Sequence, residues 1–223
     1  MEILYKSKNA VIINKPFGTP SQADKSGDGD ALSLTSKALK ESGENAALWL
    51  LHRLDRVVGG LLVFARTKES AAKINSLITS GGLHKEYIAV VEGEVCEGEL
   101  VDYLYHDTRA NKAFVVNSGS RGAKEAILFC ELLATAEYMG KKVSLVKVNL
   151  KTGRFHQIRA QLSSRGNPII GDGKYGSKIK CRNIALFSYK LCCTIPNEEI
   201  KACALPDLNT FPWSIFDEEK YGE

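Results

Sequence analysis

Short apolar runs cut by glycine and proline dominate the chain, and three stretches repeat at helical spacing instead. Ile3 to Tyr5 and Ala10 to Asn14 have the character of short strands, and the second runs into NKPFGTP, where two prolines and a glycine force a turn. Residues 21 to 30, SQADKSGDGD, are polar and glycine-bearing, which predicts a surface loop. Ala31 to Lys40 fits a helix, because Leu32, Thr35 and Leu39 recur at helical spacing and Gly43 lies just past the end. Gly60 to Ala65 is almost continuously apolar, too short for a buried helix and flanked by glycine and Arg66, so it is predicted to be a buried strand. Thr67 is placed to cap a helix through about Thr79, with Ala71, Ile74 and Ile78 on one face and Gly81 and Gly82 closing it.

A further strand is predicted over His84 to Val91. Past residue 95 the pattern turns mainly to short strands: Lys112 to Val116, Lys124 to Glu131, and Val143 to Leu150, with Val143, Leu145 and Val148 facing the core. Thr152 to Ser164 then reads as a helix opening on a Thr-Gly pair, with Ile158 and Leu162 inward. Arg154, His156 and Arg159 would lie near its N-terminal end, which favours anions such as phosphate. A chain of 223 residues can bury roughly 70% of its unfolded surface. One domain is expected, or two small lobes dividing near residues 95 to 110. There is no internal repeat or low-complexity tract.

Composition narrows the setting. The six cysteines stand singly or as one adjacent pair, without the short paired spacings of zinc or iron–sulfur sites, and read as free thiols. The first dozen residues carry Glu2, Lys6 and Lys8 and lack a signal peptide's hydrophobic core, and no apolar run approaches the ~20 residues of a membrane span. A soluble, cytoplasmic protein is expected. The net charge is +4, but residues 141 to 190 hold 12 Lys and Arg against the single acid Asp172. That segment can focus a positive potential on a polyanion, although solvated lysines have the same composition.

Several constellations admit two readings each. Asp55, in HRLDR, has arginines two residues before it and one after it; a neighbouring guanidinium keeps an aspartate ionised, which suits a nucleophile or base, yet an ordinary loop ion pair looks the same. His52 and Asp55 form only a weak metal-ligand pair, with His156 as the sole obvious third. Tyr87, on the His84 strand with Lys85 and Ala89 on its face, suits base stacking or a core position. In KTGRFHQIRAQL, one of Arg154 and Arg159 can take an internal carboxylate while the other reaches phosphate. GNPIIGDGKYG, residues 166 to 176, is glycine-rich but lacks the phosphate-loop pattern and reads as a tight turn carrying Asp172 and Lys174. Dinucleotide, zinc-hydrolase and serine-esterase signatures are absent.

Taken together, IINKPFG (12 to 18), LHRLDRVVGGLLVFART (51 to 67), KEYIAVVEG (85 to 93), TGRFHQIRAQLSSRGNPIIGDGKYG (152 to 176) and ALFSYKL (185 to 191) resemble the RluA-like pseudouridine synthases over about residues 3 to 195. The resemblance implies an α+β fold built on a central, mostly antiparallel mixed sheet with flanking helices and a cleft across its middle. It also implies isomerisation of uridine to pseudouridine in structured ribosomal or transfer RNA, with no cofactor and no metal. By motif, Asp55 matches the essential aspartate, Tyr87 the tyrosine packed on the uracil, and Arg154 the basic residue paired with the aspartate. His52, Arg53, Lys85, His156 and Arg159 are the further candidates for RNA contact or for support of the site. RNA is the expected partner, with no DNA, no membrane and a monomeric protein; a single catalytic domain without an N-terminal S4-type domain is expected. A catalytically silent RNA-binding relative is the alternative. Two departures stand out: Val58 and Gly59 replace the family's usual Thr-Ser after the aspartate, and Cys193 and Thr194 stand in a common aromatic-x-His-Pro ending. The first removes hydroxyls that would orient the aspartate loop.

Overall fold

A computed structural model describes residues 1–95 and 97–221. Its elements follow in chain order: β1 (Glu2–Lys6), β2 (Ala10–Lys15), α1 (Ala31–Glu41), β3 (Trp49–Leu50), β4 (Gly59–Ala65), α2 (Lys68–Ser80), β5 (His84–Glu92), β6 (Gly98–Asp107), β7 (Lys112–Val116), β8 (Lys124–Tyr138), β9 (Lys141–Leu150), α3 (Gln157–Ser164), β10 (Leu186–Ile195) and β11 (Glu198–Cys203). Local chemistry fixes most ends. Asp30 caps α1 by accepting from the Ser33 amide, a capping box joins Thr67 and Ser70 at α2, and Gly81 closes α2 in the left-handed conformation a glycine adopts cheaply. Every residue of β4 is buried, as its unbroken apolar run predicts.

The chain forms two compact units, Met1–Lys85 with Phe187–Pro206, and Glu86–Leu186 with Asp207–Glu223. In the first, β2 pairs antiparallel with β1 and β4, β3 with β4, and β11 with β10, while β10 runs parallel to β4. Ile12, Leu61, Val63, Ile74 and Leu191 centre its core. In the second, the order β5-β9-β8-β6-β7 is antiparallel throughout. Opposed residues of antiparallel strands share a face, so Tyr87, Val148 and Cys130 lie on one side of this sheet with Leu100, Leu104 and His106. Helix α3 packs on that side, Ala160 meeting Leu104, Ala113, Ala126 and Tyr175.

Mixed, mostly antiparallel strands and, among the described residues, three α-helices make the expected α+β fold. The division into units falls at residues 85 and 86, within β5, and again at 186 and 206, not between 95 and 110. Strand sequence continues through the first of these junctions, so composition does not mark it. Helix α3 also starts at Gln157, five residues after the predicted Thr152. Thr152 and Gln157 side chains bond each other and the Ile127 backbone, Gln157 Oε1 accepts the Arg154 amide, and His156 takes a positive φ of 52°. These local bonds compete with a first helical turn.

Candidate active site

Asp55 sits in a tight turn closed by a 2.9 Å bond from the Val58 amide to its carbonyl, directly before β4. Three separate groups brace this turn. Ser21 Oγ donates to the Leu54 carbonyl at 2.9 Å and accepts from the Leu54 amide at 3.0 Å. The Gly18 amide donates to the Arg56 carbonyl. Lys15, fully buried at the end of β2, donates from Nζ to the carbonyls of Thr19 (2.8 Å), Pro16 (3.1 Å) and Arg56 (3.5 Å). Burial pulls its ammonium down to about 8, and the charge of Asp55 pulls the other way. These contacts brace the turn without a hydroxyl at position 58 or 59.

The glycines after Asp55 have steric reasons. A Cβ on Gly59 would meet the Phe17 ring at 2.9 Å, so Phe17 fills the space a serine side chain would need. Gly60, at φ 106°, passes so close to β10 that a Cβ would lie 2.3 Å from the Ser188 carbonyl oxygen.

The flanking charges divide differently from the simple sequence picture. Arg56 turns to Asp28 and Asp24 in the polar loop, an exposed ion-pair cluster. Arg53 is exposed. His52 is partly buried, and its Nε2 faces the Val63 amide at 3.4 Å. Burial first, then the nearby Lys85, pushes its imidazole down to about 3, which favours the neutral ring. Lys85 is itself partly buried, which lowers its ammonium from the ordinary value.

In the second unit, Tyr87 is 6% exposed and faces inward opposite Val148. Arg154 is exposed, its Nε donating to the Glu125 carbonyl at 2.7 Å. Arg159 is 5% exposed and grips the buried Asp172 through Nε (2.7 Å) and Nη2 (2.9 Å). A guanidinium so held has a fixed orientation, whereas Arg154 retains the freedom of a surface side chain. His156 stacks between neighbouring rings, with Nδ1 at 3.0 Å from the Tyr175 hydroxyl. Burial, Arg159 and Lys174 together drive it down to about 3, which favours the uncharged imidazole.

Lys15, placed only in a turn by the sequence, is the buried cation that braces the Asp55 turn. Its one signal is a lysine placed at the end of a mostly apolar strand, after Asn14 and directly before Pro16. Among the described residues, no cluster of three His, Cys, Asp or Glu side chains is arranged for a metal, and no helix is long and apolar enough to cross a membrane. Cys130, Cys181, Cys192, Cys193 and Cys203 are free thiols, and Cys96 lies outside the described residues.

Comparison with known proteins gives this geometry a setting. A family model described as RNA pseudouridylate synthase matches residues 9–164. The chain is 31% identical to tRNA pseudouridine synthase C of Haemophilus ducreyi, over 97% of this chain and 98% of that protein. It is 28% identical to ribosomal large subunit pseudouridine synthase D of Pseudomonas aeruginosa, covering 83% of this chain and 56% of that one. Among solved structures, human RNA pseudouridylate synthase domain containing 4 superposes with a TM-score of 0.74 at 25% identity, over 93% of this chain and 89% of that chain.

Proposed function

The chain belongs to the RNA pseudouridine synthase family and is an isomerase that converts uridine in RNA to pseudouridine; from that premise we propose which groups act and on which RNA. The reaction breaks the N1–C1′ bond, joins C5 to C1′, and releases the C5 proton. It balances within one nucleotide, so the proposal assigns no cofactor and no metal. Asp55 acts at the sugar, either by attacking C1′ or by assisting a glycal intermediate. Tyr87 packs on the freed uracil, limits its tumbling and takes part in removing the C5 proton. The target uridine must leave its stack to expose both carbons.

One observation carries this assignment: the Asp55 turn is pinned by Ser21 and by the fully buried Lys15. Such support suits a carboxylate that must be held in a productive position before substrate arrives. The arginine that pairs with Asp55 is Arg154 by motif. The burial of Arg159 and its two-point grip on Asp172 favour Arg159 as a second reading. Tritium release from C5-labelled RNA decides between them: Arg154→Ala abolishes turnover on the first reading, and on the second it raises KM with kcat nearly intact.

The substrate is transfer or ribosomal RNA, a reading supported by the names of the relatives and by the basic segment 141 to 190. Thymine carries a methyl group where uracil has the C5 hydrogen, so DNA is not a substrate. The protein acts in the cytoplasm as a monomer, without a membrane partner. Arg53 and Lys85 stand near the substrate, and His52, His156 and Arg159 support the site. Separately labelled transfer and ribosomal RNA, each offered to the purified protein, identify the substrate by which releases tritium.

A further inference from the structure

Three aromatic rings in the second unit form a column. His106, on β6, stacks on Phe155 with centroids 3.9 Å apart and planes 29° from parallel; Phe155 stacks on His156 at 3.8 Å and 18°. Adjacent side chains of one strand or helix do not face each other, and here the positive φ of His156 lets consecutive rings lie parallel. The inner end is anchored: His156 meets the edge of the Tyr175 ring, and the Tyr175 hydroxyl bonds the Ala113 backbone on β7. The outer end is His106, which is exposed although one side of its ring is covered by Phe155.

Around the column, the cations are placed unlike those of an ordinary salt-bridged surface. Lys112 donates to the Lys174 carbonyl and Lys174 to the Asn111 carbonyl. Their contacts among the described residues are with carbonyl oxygens and rings, so their charge is not neutralised by carboxylates. A rigid, exposed ring edged by unneutralised ammonium groups has the two parts that single-stranded nucleic acid recognition requires, a stacking platform and phosphate attraction.

We propose that His106, supported by Phe155 and His156, is a base-stacking subsite for a nucleotide of the RNA substrate other than the target uridine, with Lys112 and Lys174 attracting its phosphates. This rests on the RNA reading above. His106 shares a sheet face with Tyr87 but lies three strands from it, at least ~14 Å across the sheet, farther than one nucleotide spans. The subsite therefore contributes to affinity and to choice of RNA, not to the chemical step.

The test uses a short single-stranded oligoribonucleotide carrying the fluorescent base aminopurine, titrated into wild-type, His106→Ala and His106→Phe proteins over a range of salt. Loss of one stacking ring raises Kd about 5- to 30-fold for His106→Ala and abolishes the stacking quench. The salt slope stays that of the wild type, because no phosphate contact is removed. His106→Phe keeps a ring and no charge, and it binds within about twofold of wild type. A wild-type Kd and quench for His106→Ala overturns the subsite, as does a His106→Phe protein that binds as weakly as His106→Ala with a shallower salt slope. Tritium release by the same wild-type preparation keeps the two levels apart: turnover with an unaffected His106→Ala sinks the subsite alone, whereas neither turnover nor RNA binding sinks the RNA reading and the subsite with it.

Discussion

Replacing Lys15 by methionine separates stability from activity. The buried ammonium is drawn from 10.5 to about 8, a difference equivalent to ~3 kcal/mol of unfavourable burial at neutral pH. Its hydrogen bonds to the carbonyls of Thr19 and Pro16 oppose that cost at ~1.5–3 kcal/mol each. The two contributions oppose each other, so Lys15→Met should change unfolding free energy by no more than ~3 kcal/mol, as replacing a buried charge by an apolar side chain commonly does. Activity should respond much more strongly. Without the ammonium, the chain around Asp55 loses its pins to residues 16, 19 and 56, and kcat should fall about 10- to 100-fold with KM little changed.

The pH dependence supplies a second readout. Below about 8, Lys15 is charged in the folded and unfolded chain alike, and the full burial cost is present. Between about 8 and 10.5 the unfolded chain holds a proton that the folded one has released, so this group's contribution to stability rises with pH. In the same window turnover should fall, because the neutral amine holds the carbonyls less firmly. Activity and the Lys15 part of stability thus move in opposite directions. The assays are single-turnover tritium release and urea unfolding, each across that range. A wild-type rate that stays level through about 8, or a Lys15→Met protein with wild-type kcat, refutes the positioning role.

Further substitutions probe the surrounding frame. Gly59→Ser places its Cβ 2.9 Å from the Phe17 ring, so it should lower kcat alone and recover when Phe17→Leu accompanies it; equal activity of the single and double variants counts against the steric account. Asp172→Asn leaves the Arg159 guanidinium buried without its carboxylate and should cost ~3–5 kcal/mol in urea unfolding; a loss under ~1 kcal/mol would show that the pair is not a structural anchor. His52 and His156, both held near 3 against an ordinary 6.5, contribute stability that is present above 6.5 and lost as pH falls toward 3, since the unfolded chain takes up protons that the folded one refuses. Replacing both with glutamine should flatten that acid limb, and an unchanged limb would place the sensitivity elsewhere.

The sequence made the local elements of the fold legible where periodicity and caps agree. The Thr67 cap and Gly81 bound α2 closely, and the unbroken apolar run marked β4. Strand β6 was missed because Val101, Tyr103 and Tyr105 leave apolar and aromatic side chains on its other face, blurring the polar alternation that would identify a half-buried strand. The parallel pairing of β10 with β4 joins residues far apart in sequence, a contact no local pattern encodes. At the candidate site, Asp55 stood out through its setting between arginines, yet Arg56 proves to be occupied by Asp24 and Asp28. Lys15 and Arg159 could not be told from surface cations, since burial of a charged side chain depends on which carbonyls or carboxylates the fold brings to it. His156 stood as a candidate for RNA contact or for support of the site, and the positive field of its basic neighbours, added to burial, favours its neutral form.

Tritium release from C5-labelled uridine in bulk transfer and ribosomal RNA, comparing wild type with Asp55→Asn, tests the central claim most directly. The account predicts release by the wild type and none by Asp55→Asn, with both proteins binding the RNA at low salt and losing it as salt rises. Release by both would remove Asp55 from the chemistry, and salt-sensitive binding with release by neither would make the protein a silent RNA-binding relative of its family.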